Sequence, residues 1–462
     1  MVVTGLLLGL VFGFVLQRGR FCVTGMLRDI FTQRTWRGIT ALFIVIAVSA
    51  VGTAALTSAG MIAPEVDPFA PVAVIVGGFV FGIGIMLSAG CASGTWYRAG
   101  EGLVGSWLAL ASYALSASMM KTGPLRPLDA SLKHYRLQMT TLQDTLGVSV
   151  WWLAVPFAAF VAYLAWHFTA TTPRRSSVAT LRRPWYQRPL GLYPTAVLVG
   201  LIGVAAWPLS SATGRNDGLG ITSPSKNVLN YLFTGDTKYV DWGMLLVVGL
   251  LLGAMIGAKI SGEFRVRVPD SRTATRALVG GLCMGVGASW AGGCTVGNGM
   301  VQTSLFSYQG WIGLLAMGAG VGAGAAFLLR PQQRTNARID APSAPQSKEP
   351  AAPGLAGYGV AVATGLVGAP AKPKAQAGLR ELGQGRYALD TLGAVCPFPL
   401  IEAKQAMAEL LAGETLVIDF DCTQATESIP QWAADEGYAV TEFEQTGDAG
   451  WRIAVRKPEL VR

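Results

Sequence analysis

Apolar stretches without a charged side chain recur along the first 330 residues, separated by short charged loops. A hydrocarbon core about 30 Å thick takes about 20 helical residues, so these stretches predict membrane spans, the shorter ones being candidates for half-helices or re-entrant segments. The first has no basic residue before it and no small-residue cleavage pattern after it, which favours a structural span over a signal peptide. The nine stretches are residues 2–16, 39–56, 72–87, 103–120, 146–166, 190–207, 242–258, 278–290 and 311–328.

The charges in the loops predict the orientation of these spans. Cytoplasmic loops are enriched in Lys and Arg. If the N-terminus is outside, the inner loops hold 16 of these residues and the outer loops hold 7. One outer loop is an exception, because it carries Lys121, Arg126, Lys133 and Arg136. An odd number of spans places the C-terminal part of the chain in the cytoplasm.

The pattern changes after residue 378, where short strand-like and helix-like segments alternate. Their order, βαβαββ, predicts two helices on one face of a small mixed sheet, in a domain large enough to fold alone. The predicted elements are a strand at 387–392, a helix at 397–411, a strand at 415–420, a helix at 428–436 and a hairpin at 439–443 and 451–455.

Composition separates the same two parts. Only 14% of the 462 residues are charged, against about 25% in an average soluble chain. Residues 1–378 carry 29 Lys and Arg against 13 Asp and Glu, whereas residues 379–462 carry 7 against 14. Between them, 25 of the 48 residues in 331–378 are Ala, Pro or Gly, which predicts a tether. We therefore expect a membrane domain at 1–330, a linker at 331–378 and a soluble domain at 379–462. The basic residues lie between apolar runs, which argues against nucleic-acid binding.

An internal repeat relates two of the spans. Residues 77–91 read GGFVFGIGIMLSAGC and residues 280–294 read GGLCMGVGASWAGGC, with five glycines and one cysteine matching at an offset of 203. The predicted orientation makes these copies inverted, as in many transporters, whose substrate site lies at the repeat interface near the midplane. Glycines four residues apart also let membrane helices pack closely. A weaker echo relates residues 8–13 to residues 252–257.

Three cysteines end Gly-rich apolar segments. Cys91 and Cys294 close the two copies, and Cys22 closes a third segment. A buried cysteine is by default a small apolar side chain, and Cys283, whose counterpart is Val80, keeps that interpretation. The shared position of the other three favours a functional role. The predicted cytoplasmic exit disfavours a disulfide, and with two histidines and no C-x-x-C motif a metal site is weakly supported.

Residues beside these cysteines are candidates to line a substrate path. Glycine permits a tight turn and close approach to a ligand, and hydroxyl residues can start a helix whose N–H groups face an anion. The candidates are Arg20, Gly90, Ser93, Thr95, Gly293 and Thr295.

The first 329 residues resemble the YeeE/YedE family of membrane proteins, which take up thiosulfate in bacteria. The resemblance rests on QRGRFCVTGMLRD at 17–29, on the Gly-rich run that ends in GCASGT at Thr95, and on GGCTVGNG at 292–299. It implies a multi-pass protein of the cytoplasmic membrane that passes a sulfur-containing anion along Cys22, Cys91 and Cys294. An S–H group is a weak donor, suited to the soft terminal sulfur of thiosulfate.

The soluble domain has its own candidate cysteine in the sequence Cys396-Pro-Phe-Pro. Proline suits the first helical position, so Cys396 is predicted at a helix N-terminus, where the helix dipole favours the thiolate. The domain has no histidine, which excludes a Cys–His pair, and a thiolate without a base suits sulfur transfer through a persulfide. Cys422 is predicted to be an ordinary side chain, with a resolving or second sulfur-handling thiol as the alternative.

This domain resembles the TusA/SirA sulfur carriers, most closely the YeeD branch, through LDTLGAVCPFPLIEAK and DCTQATESIPQWA. The resemblance implies that Cys396 accepts sulfur, from thiosulfate itself in the YeeD branch. The combined prediction is a thiosulfate importer fused to a sulfur acceptor that docks at the pore exit, passes sulfur to downstream acceptors and uses no cofactor. The alternatives are a membrane-anchored sulfurtransferase that transports nothing, and a transporter of sulfite, sulfide or a selenium anion. No phosphate-binding loop suggests coupling to ATP.

Overall fold

The computed structural model describes residues 2–32, 35–170, 184, 187–328, 379–394, 398–447 and 449–458, so the predicted linker at 331–378 lies outside the described residues. The membrane domain comprises the helices α1 (Val3–Arg18), α2 (Val23–Thr32), α3 (Arg37–Ser58), α4 (Pro71–Leu87), α5 (Ala92–Gly100), α6 (Val104–Lys121), α7 (Arg126–Leu132), α8 (Leu142–Leu146), α9 (Trp151–Ala170), α10 (Leu192–Ser211), α11 (Thr222–Thr234), α12 (Trp242–Ser261), α13 (Ser271–Trp290), a π-helix (Gly297–Gln302) and α14 (Tyr308–Leu328). The C-terminal domain comprises β1 (Leu379–Gly383), β2 (Arg386–Asp390), α15 (Phe398–Glu409), β3 (Thr415–Phe420), α16 (Ala425–Asp435), β4 (Ala439–Gly447) and β5 (Gly450–Arg456).

Each of the nine apolar stretches forms a long helix of 16 to 22 residues: α1, α3, α4, α6, α9, α10, α12, α13 and α14. Within the described part of the chain, seven helical stretches are long and apolar enough to cross a membrane, counting α1 with α2 and α4 with α5 as single stretches. Large apolar side chains such as Trp152 and Phe327 point outwards, while polar ones such as Gln17 and Ser289 are buried. This distribution is the one expected for a protein surrounded by lipid. The expectation that some of the nine stretches are half-helices is wrong, because short elements formed by other segments, namely α2, α5, α11 and the π-helix, lie between the long helices.

The inverted repeat is confirmed by how α4 packs against α13. A Cβ atom added to Gly77 would lie 2.7 Å from the carbonyl oxygen of Gly287, and one added to Gly287 would lie 2.6 Å from that of Gly77. Gly84 and Gly280 oppose each other in the same reciprocal way, at 2.8 Å in both directions. The residue numbers rise along one helix as they fall along the other, so the two equivalent helices are antiparallel. An approximate two-fold symmetry axis therefore passes through the contact between α4 and α13.

The element order extends the repeat to six elements in each half of the membrane domain, with α7, α8 and α9 between the two halves. The series of long, short, long, long, short and long helices in α1–α6 recurs in α10–α14 with the π-helix in the fifth place. This order pairs α1 with α10, so the weaker glycine echo between α1 and α12 is not part of the repeat. It reflects close packing instead, because a Cβ atom on Gly9 would lie 2.0 Å from the Leu246 carbonyl oxygen and one on Gly253 would lie 1.9 Å from that of Leu10.

The C-terminal domain is a five-stranded mixed sheet in the order β1-β2-β3-β5-β4, with one strand more than predicted. The additional strand, β1, pairs antiparallel with β2, while β2 and β3 are parallel. Because parallel strands end at the same edge of a sheet, the segments after β2 and β3 are neighbours. The Gly393 N–H donates to Asp421 Oδ1 across this edge, at 3.0 Å.

Candidate functional site: a buried thiol path

All three predicted relay cysteines are buried in the helical body, with 3% of Cys22, 0% of Cys91 and 1% of Cys294 exposed. Each is a free thiol and precedes one of the short helical elements, namely α2, α5 and the π-helix. Cys91 caps α5, because its sulfur accepts a hydrogen bond of 3.3 Å from the Gly94 N–H. As expected from the sequence, each thiol also follows the end of a Gly-rich long helix, namely α1, α4 or α13.

The sulfur atoms of Cys22 and Cys91 both lie beside Gly94. A Cβ atom added to Gly94 would lie 3.2 Å from the Cys91 sulfur and 3.3 Å from the Cys22 sulfur, so the two sulfurs are no further apart than the sum of these distances. The two thiols are therefore neighbours, close enough to influence each other's titration. Any larger residue at position 94 would press on both sulfurs, and this role of Gly94 was not recognised in the sequence because it lies outside the matched positions of the repeat.

Cys294 has a different neighbour, the hydroxyl group of Tyr113 on α6. The Tyr113 side chain lies near those of Cys294 and Cys91. The Tyr113 hydroxyl donates its hydrogen bond, 2.8 Å long, to Thr222 Oγ1 at the start of α11. Sequence analysis missed Tyr113 and Thr222, because neither belongs to the glycine–cysteine motifs.

The two glycines before the cysteines make room for side chains of the protein itself. A Cβ atom on Gly90 would lie 3.1 Å from Thr95 Oγ1, and one on Gly293 would lie 2.7 Å from Asn298 Oδ1. Thr95 donates to the Cys91 carbonyl oxygen at 2.7 Å, and Asn298 donates to the carbonyl oxygen of Gly293 at 3.3 Å. Thr95 and Asn298 occupy equivalent positions in the repeat, so equivalent side chains stabilise the turns that contain Cys91 and Cys294.

The left-handed backbone that turns each segment falls one residue earlier than the glycines singled out in the sequence. It occurs at Ala89 (φ 55°) and at the equivalent Gly292 (φ 74°). A left-handed alanine costs roughly 1 kcal/mol, and Arg98 stabilises this turn by donating a hydrogen bond to the Ala89 carbonyl oxygen. The turns that aim the thiols are therefore held by specific contacts.

Hydroxyl groups accompany the thiols. Ser93 Oγ lies 3.5 Å from the Cys91 sulfur. Thr24 and Thr295, which are 2% and 0% exposed, have hydroxyl oxygens without a hydrogen-bond partner among the described residues. A buried hydroxyl without a partner costs about 1–3 kcal/mol, so these two groups are available to a bound ligand. No cluster of three or more metal-binding side chains occurs in the part of the chain that the structure describes.

Arg20 lies in a buried charged cluster two residues before Cys22. Its Nη2 atom is 2.8 Å from Glu263 Oε1. Gln17 Nε2 links the same carboxylate to Glu101, donating to Glu263 Oε2 at 3.0 Å and to Glu101 Oε1 at 3.3 Å. One buried cation thus faces two carboxyl groups at one end of the thiol path.

The C-terminal domain approaches this end of the path. Arg20 donates a hydrogen bond to Thr426 Oγ1 and lies 3.6 Å from Glu427 Oε1, both at the start of α16. A cleft of about 560 Å³ between the two domains is lined by Val266 from the membrane domain and by Leu392 and Gly447 from the C-terminal domain, among others.

The two cysteines of the C-terminal domain differ in what the structure describes. Cys422, after β3, is half-buried and packs against the apolar core of the domain. Cys396 lies outside the described residues, and the helix predicted from Pro397 is described from Phe398 onwards. The Gly393–Asp421 hydrogen bond joins the segments that lead to these two positions.

The fold and the site define an inverted-repeat membrane protein with buried thiols, joined to a small α/β domain. Residues 18–323 match the sulphur transport family, and residues 387–457 match the sulfurtransferase TusA family. The chain belongs to the sulphur transport family and carries a TusA domain after its membrane part.

Curated relatives match each part of the chain. The thiosulfate transporter TsuA of Escherichia coli K12 is 43% identical over 345 residues, which cover 72% of this chain and 97% of the relative. TsuA of Spirochaeta thermophila is 31% identical over 326 residues, covering 68% and 94% respectively. The putative sulfur carrier protein TsuB of Escherichia coli K12 is 65% identical over 69 residues, covering 15% of this chain and 92% of the relative.

Protonation of Glu101 should make the stability of the protein depend on pH. Burial raises the pKa of this carboxyl to about 7, the nearby Glu263 carboxylate adds to the increase, and Arg98 and Arg267 oppose it. The folded protein therefore binds this proton over a pH range in which the unfolded chain has released it, and stability falls as pH rises from about 5 to 8, by up to about 3 kcal/mol. We expect Glu101→Gln to flatten the pH dependence of the melting temperature in detergent.

The control for this measurement is Glu65→Gln, which changes an exposed carboxylate in the loop between α3 and α4. This variant should keep the pH dependence of the parent. A Glu101→Gln protein whose melting temperature changes with pH as steeply as that of the parent would contradict the assignment.

Proposed function

We propose that this chain imports thiosulfate across the bacterial cytoplasmic membrane and transfers its outer sulfur to Cys396. The observation that carries the proposal is the set of three buried free thiols in an inverted repeat, two of which lie side by side at Gly94. Transporters of this architecture bind their substrates at such interfaces. The names of the two full-length relatives, both thiosulfate transporters, support the same substrate.

The chemistry of thiols suits this substrate. The terminal sulfur of thiosulfate is soft and weakly hydrated, and a neutral S–H group can donate a weak hydrogen bond to it without holding it tightly. A series of weak sites favours passage over trapping, as in other selective pores. The anion enters at Cys294, moves to Cys91 and then to Cys22, which lies beside Arg20.

The orientation proposed here places the N-terminus outside and the C-terminal domain in the cytoplasm. Arg20, Arg265 and Arg267 lie in loops on the predicted inner side, Lys259 lies in the last turn of α12 on the same side, and Arg20 contacts the C-terminal domain. This agreement between the charge bias of the loops and the position of the domain supports the assignment.

Docking of the C-terminal domain at the inner end of the path follows from complementary charge. Residues 379–462 carry 14 acidic and 7 basic side chains, whereas the membrane-domain loops beside them are basic. Glu427 lies 3.6 Å from Arg20, and the segment containing Leu392 faces Val266 across the cleft. The docked domain therefore presents the edge of its sheet that carries the segments before Cys396 and Cys422 to the exit.

The proposed reaction at the exit is a sulfur transfer. The Cys396 thiolate attacks the terminal sulfur of thiosulfate, a new S–S bond forms, and the original S–S bond breaks with its electron pair leaving on sulfite. The products are a Cys396 persulfide anion and sulfite, which conserves atoms and charge without any oxidant or reductant. Removal of thiosulfate in this way holds its inner concentration low and favours net uptake, and the persulfide can pass sulfur to downstream acceptors.

Two alternatives fit the structure less well. A membrane-anchored sulfurtransferase that transports nothing would have no use for thiols buried in the helical body. A transporter of sulfide would have no use for the unpartnered hydroxyls of Thr24 and Thr295, which suit an anion that carries oxygen atoms. Sulfite and selenium oxyanions are distinguished from thiosulfate by competition in the uptake assay.

The transport proposal predicts which thiols uptake requires. In proteoliposomes containing the full chain, Cys91→Ala and Cys294→Ala should each lower labelled thiosulfate uptake at least tenfold, because each removes a donor from the path. Cys283→Ala is the matched control, since Cys283 is half-buried on α13 and its repeat counterpart is Val80. If both alanine variants transport as fast as the parent, the thiol relay is wrong.

The sulfur-transfer proposal predicts a modification of one residue. After incubation of the full chain with thiosulfate, mass spectrometry under non-reducing conditions should find one added sulfur atom on Cys396, and sulfite should be released in equal amount. Cys396→Ser should abolish both signals. A Cys396 thiol that stays free and unmodified after this incubation would exclude the acceptor role.

The docking proposal predicts a cross-link between the domains that depends on charge. In a chain carrying Val266→Cys and Gly447→Cys, a short bifunctional maleimide should join the two new cysteines, because both positions line the cleft. Adding Glu427→Arg places two cations together and should lower the cross-linking yield severalfold, as should high salt. Glu436→Arg, an exposed position after α16, should leave the yield unchanged. Equal yields in all three proteins would refute docking through Arg20.

A further inference from the structure

Each half of the repeat contributes two corners to the thiol path, a corner being the position just before one of its short helical elements. The two halves differ at one of these corners. In the first half, Cys22 precedes the short helix α2, and the sulfur atoms of Cys22 and Cys91 both lie beside Gly94. In the second half, Cys294 is the equivalent of Cys91, and α11 is the equivalent of α2. The residue before α11 is Ile221, so the fourth corner has no thiol.

A pair of hydroxyl groups stands at this fourth corner. Thr222 is the first residue of α11, and Tyr113 Oη donates a hydrogen bond of 2.8 Å to its Oγ1 atom. Tyr113 is completely buried, and Thr222 is 4% exposed. The Tyr113 side chain also lies near that of Cys294. Two neighbouring thiols in the first half are thus replaced in the second half by one thiol and two hydroxyls.

Two further features of this corner are suited to an anion. The start of α11, a helix of 13 residues, has no side-chain cap, so its first backbone N–H groups lack that partner. Thr295, adjacent to Cys294 in the chain, has a hydroxyl oxygen that is fully buried and has no hydrogen-bond partner among the described residues. The unpartnered hydroxyl is an observation independent of the helix terminus.

The difference in donor type matches the two ends of the substrate. Sulfonate oxygens are strong hydrogen-bond acceptors, and O–H groups donate to them far better than S–H groups do. The terminal sulfur is a poor acceptor and is adequately met by a thiol. An anion with one sulfur end and one oxygen end therefore fits a site that presents a thiol on one side and hydroxyls on the other.

We propose that Tyr113 and Thr222 form a specificity-determining site that binds the oxygen end of the anion while Cys294 contacts its sulfur end. The proposal rests on the thiosulfate transport proposed above and adds how the substrate is recognised. When the anion arrives, the Tyr113 and Thr222 O–H groups turn from each other towards its oxygens and replace water lost on entry. No covalent step is involved, and Tyr113 and Thr222 donate only hydrogen bonds.

The position of the site explains why the hydroxyls are at Cys294 and not at Cys22. The approximate two-fold symmetry places the Cys22–Cys91 pair and the corner formed by Cys294 and Thr222 at opposite ends of the membrane domain. The first is at the end near Arg20, so the second is at the entrance in the proposed orientation. Recognition of the oxygen end thus occurs where the anion loses its water and competing anions must be rejected.

Kinetics of thiosulfate uptake by the full chain in proteoliposomes tests this site. A hydrogen bond to a charged group contributes about 1.5–3 kcal/mol, so Tyr113→Phe and Thr222→Val should each raise KM by about tenfold or more, with a much smaller change in maximal rate. Thr222→Ser keeps the hydroxyl and should restore the KM of the parent. Tyr308→Phe, at the start of α14, removes a tyrosine hydroxyl elsewhere and should leave KM unchanged.

Each outcome separates the proposals. If the parent takes up no thiosulfate, the transport function itself fails. If the parent transports but Tyr113→Phe and Thr222→Val both keep its KM, the hydroxyl site is wrong and the pair only joins α6 to α11. If Thr222 has a purely structural role, Thr222→Val should lower the melting temperature and the maximal rate without raising KM. In that case Thr222→Val and Thr222→Ser would have the same KM. If Tyr113→Phe does not fold, the comparison of Thr222→Val with Thr222→Ser decides alone.

Discussion

The antiparallel contact between α4 and α13 is the constraint on which the rest of the membrane domain depends. Gly77 and Gly287 face each other so closely that the Cβ atom of any other residue would collide with a carbonyl oxygen, and Gly84 and Gly280 repeat this arrangement. Each helical glycine costs roughly 0.5–1 kcal/mol relative to alanine. That cost is offset by dispersion contacts between backbones, which are the main attraction available to helices in lipid.

The same contact places the thiols. Cys91 and Cys294 follow the ends of α4 and α13, so the two antiparallel helices deliver their cysteines to opposite sides of one symmetry axis. The turns after both helices are left-handed, at Ala89 and Gly292, and a side chain fills the space beside the next glycine in each. Substitution of an axial glycine would therefore displace the thiols as well as weaken the packing. Stability and the geometry of the path have a common origin.

Much of this could be predicted from the sequence, and the failures have physical reasons. The nine charge-free stretches located the long helices because lipid excludes unpaired charge, and this rule is strong over 16 or more residues. The short helices were missed as separate elements because half a membrane requires too few residues to give a hydropathy signal. Strand β1, with the sequence LRELG, was missed because it lacks the alternation of apolar and polar residues.

Site residues divide in the same way. Cysteines at repeated positions were detectable, since repetition distinguishes them from ordinary buried cysteines such as Cys283. Gly94, Tyr113 and Thr222 were not, because their significance arises only when separate helices meet: Gly94 touches two sulfurs, and Tyr113 links α6 to α11. An exact symmetry would have placed a fourth thiol at residue 221. The departure from symmetry is informative because transport through a membrane has a direction, whereas a symmetric path does not distinguish its two ends. In the function proposed above, the hydroxyls at one end would suit the entry of an oxyanion, and the buried Arg20 beside the C-terminal domain at the other end would suit its consumption.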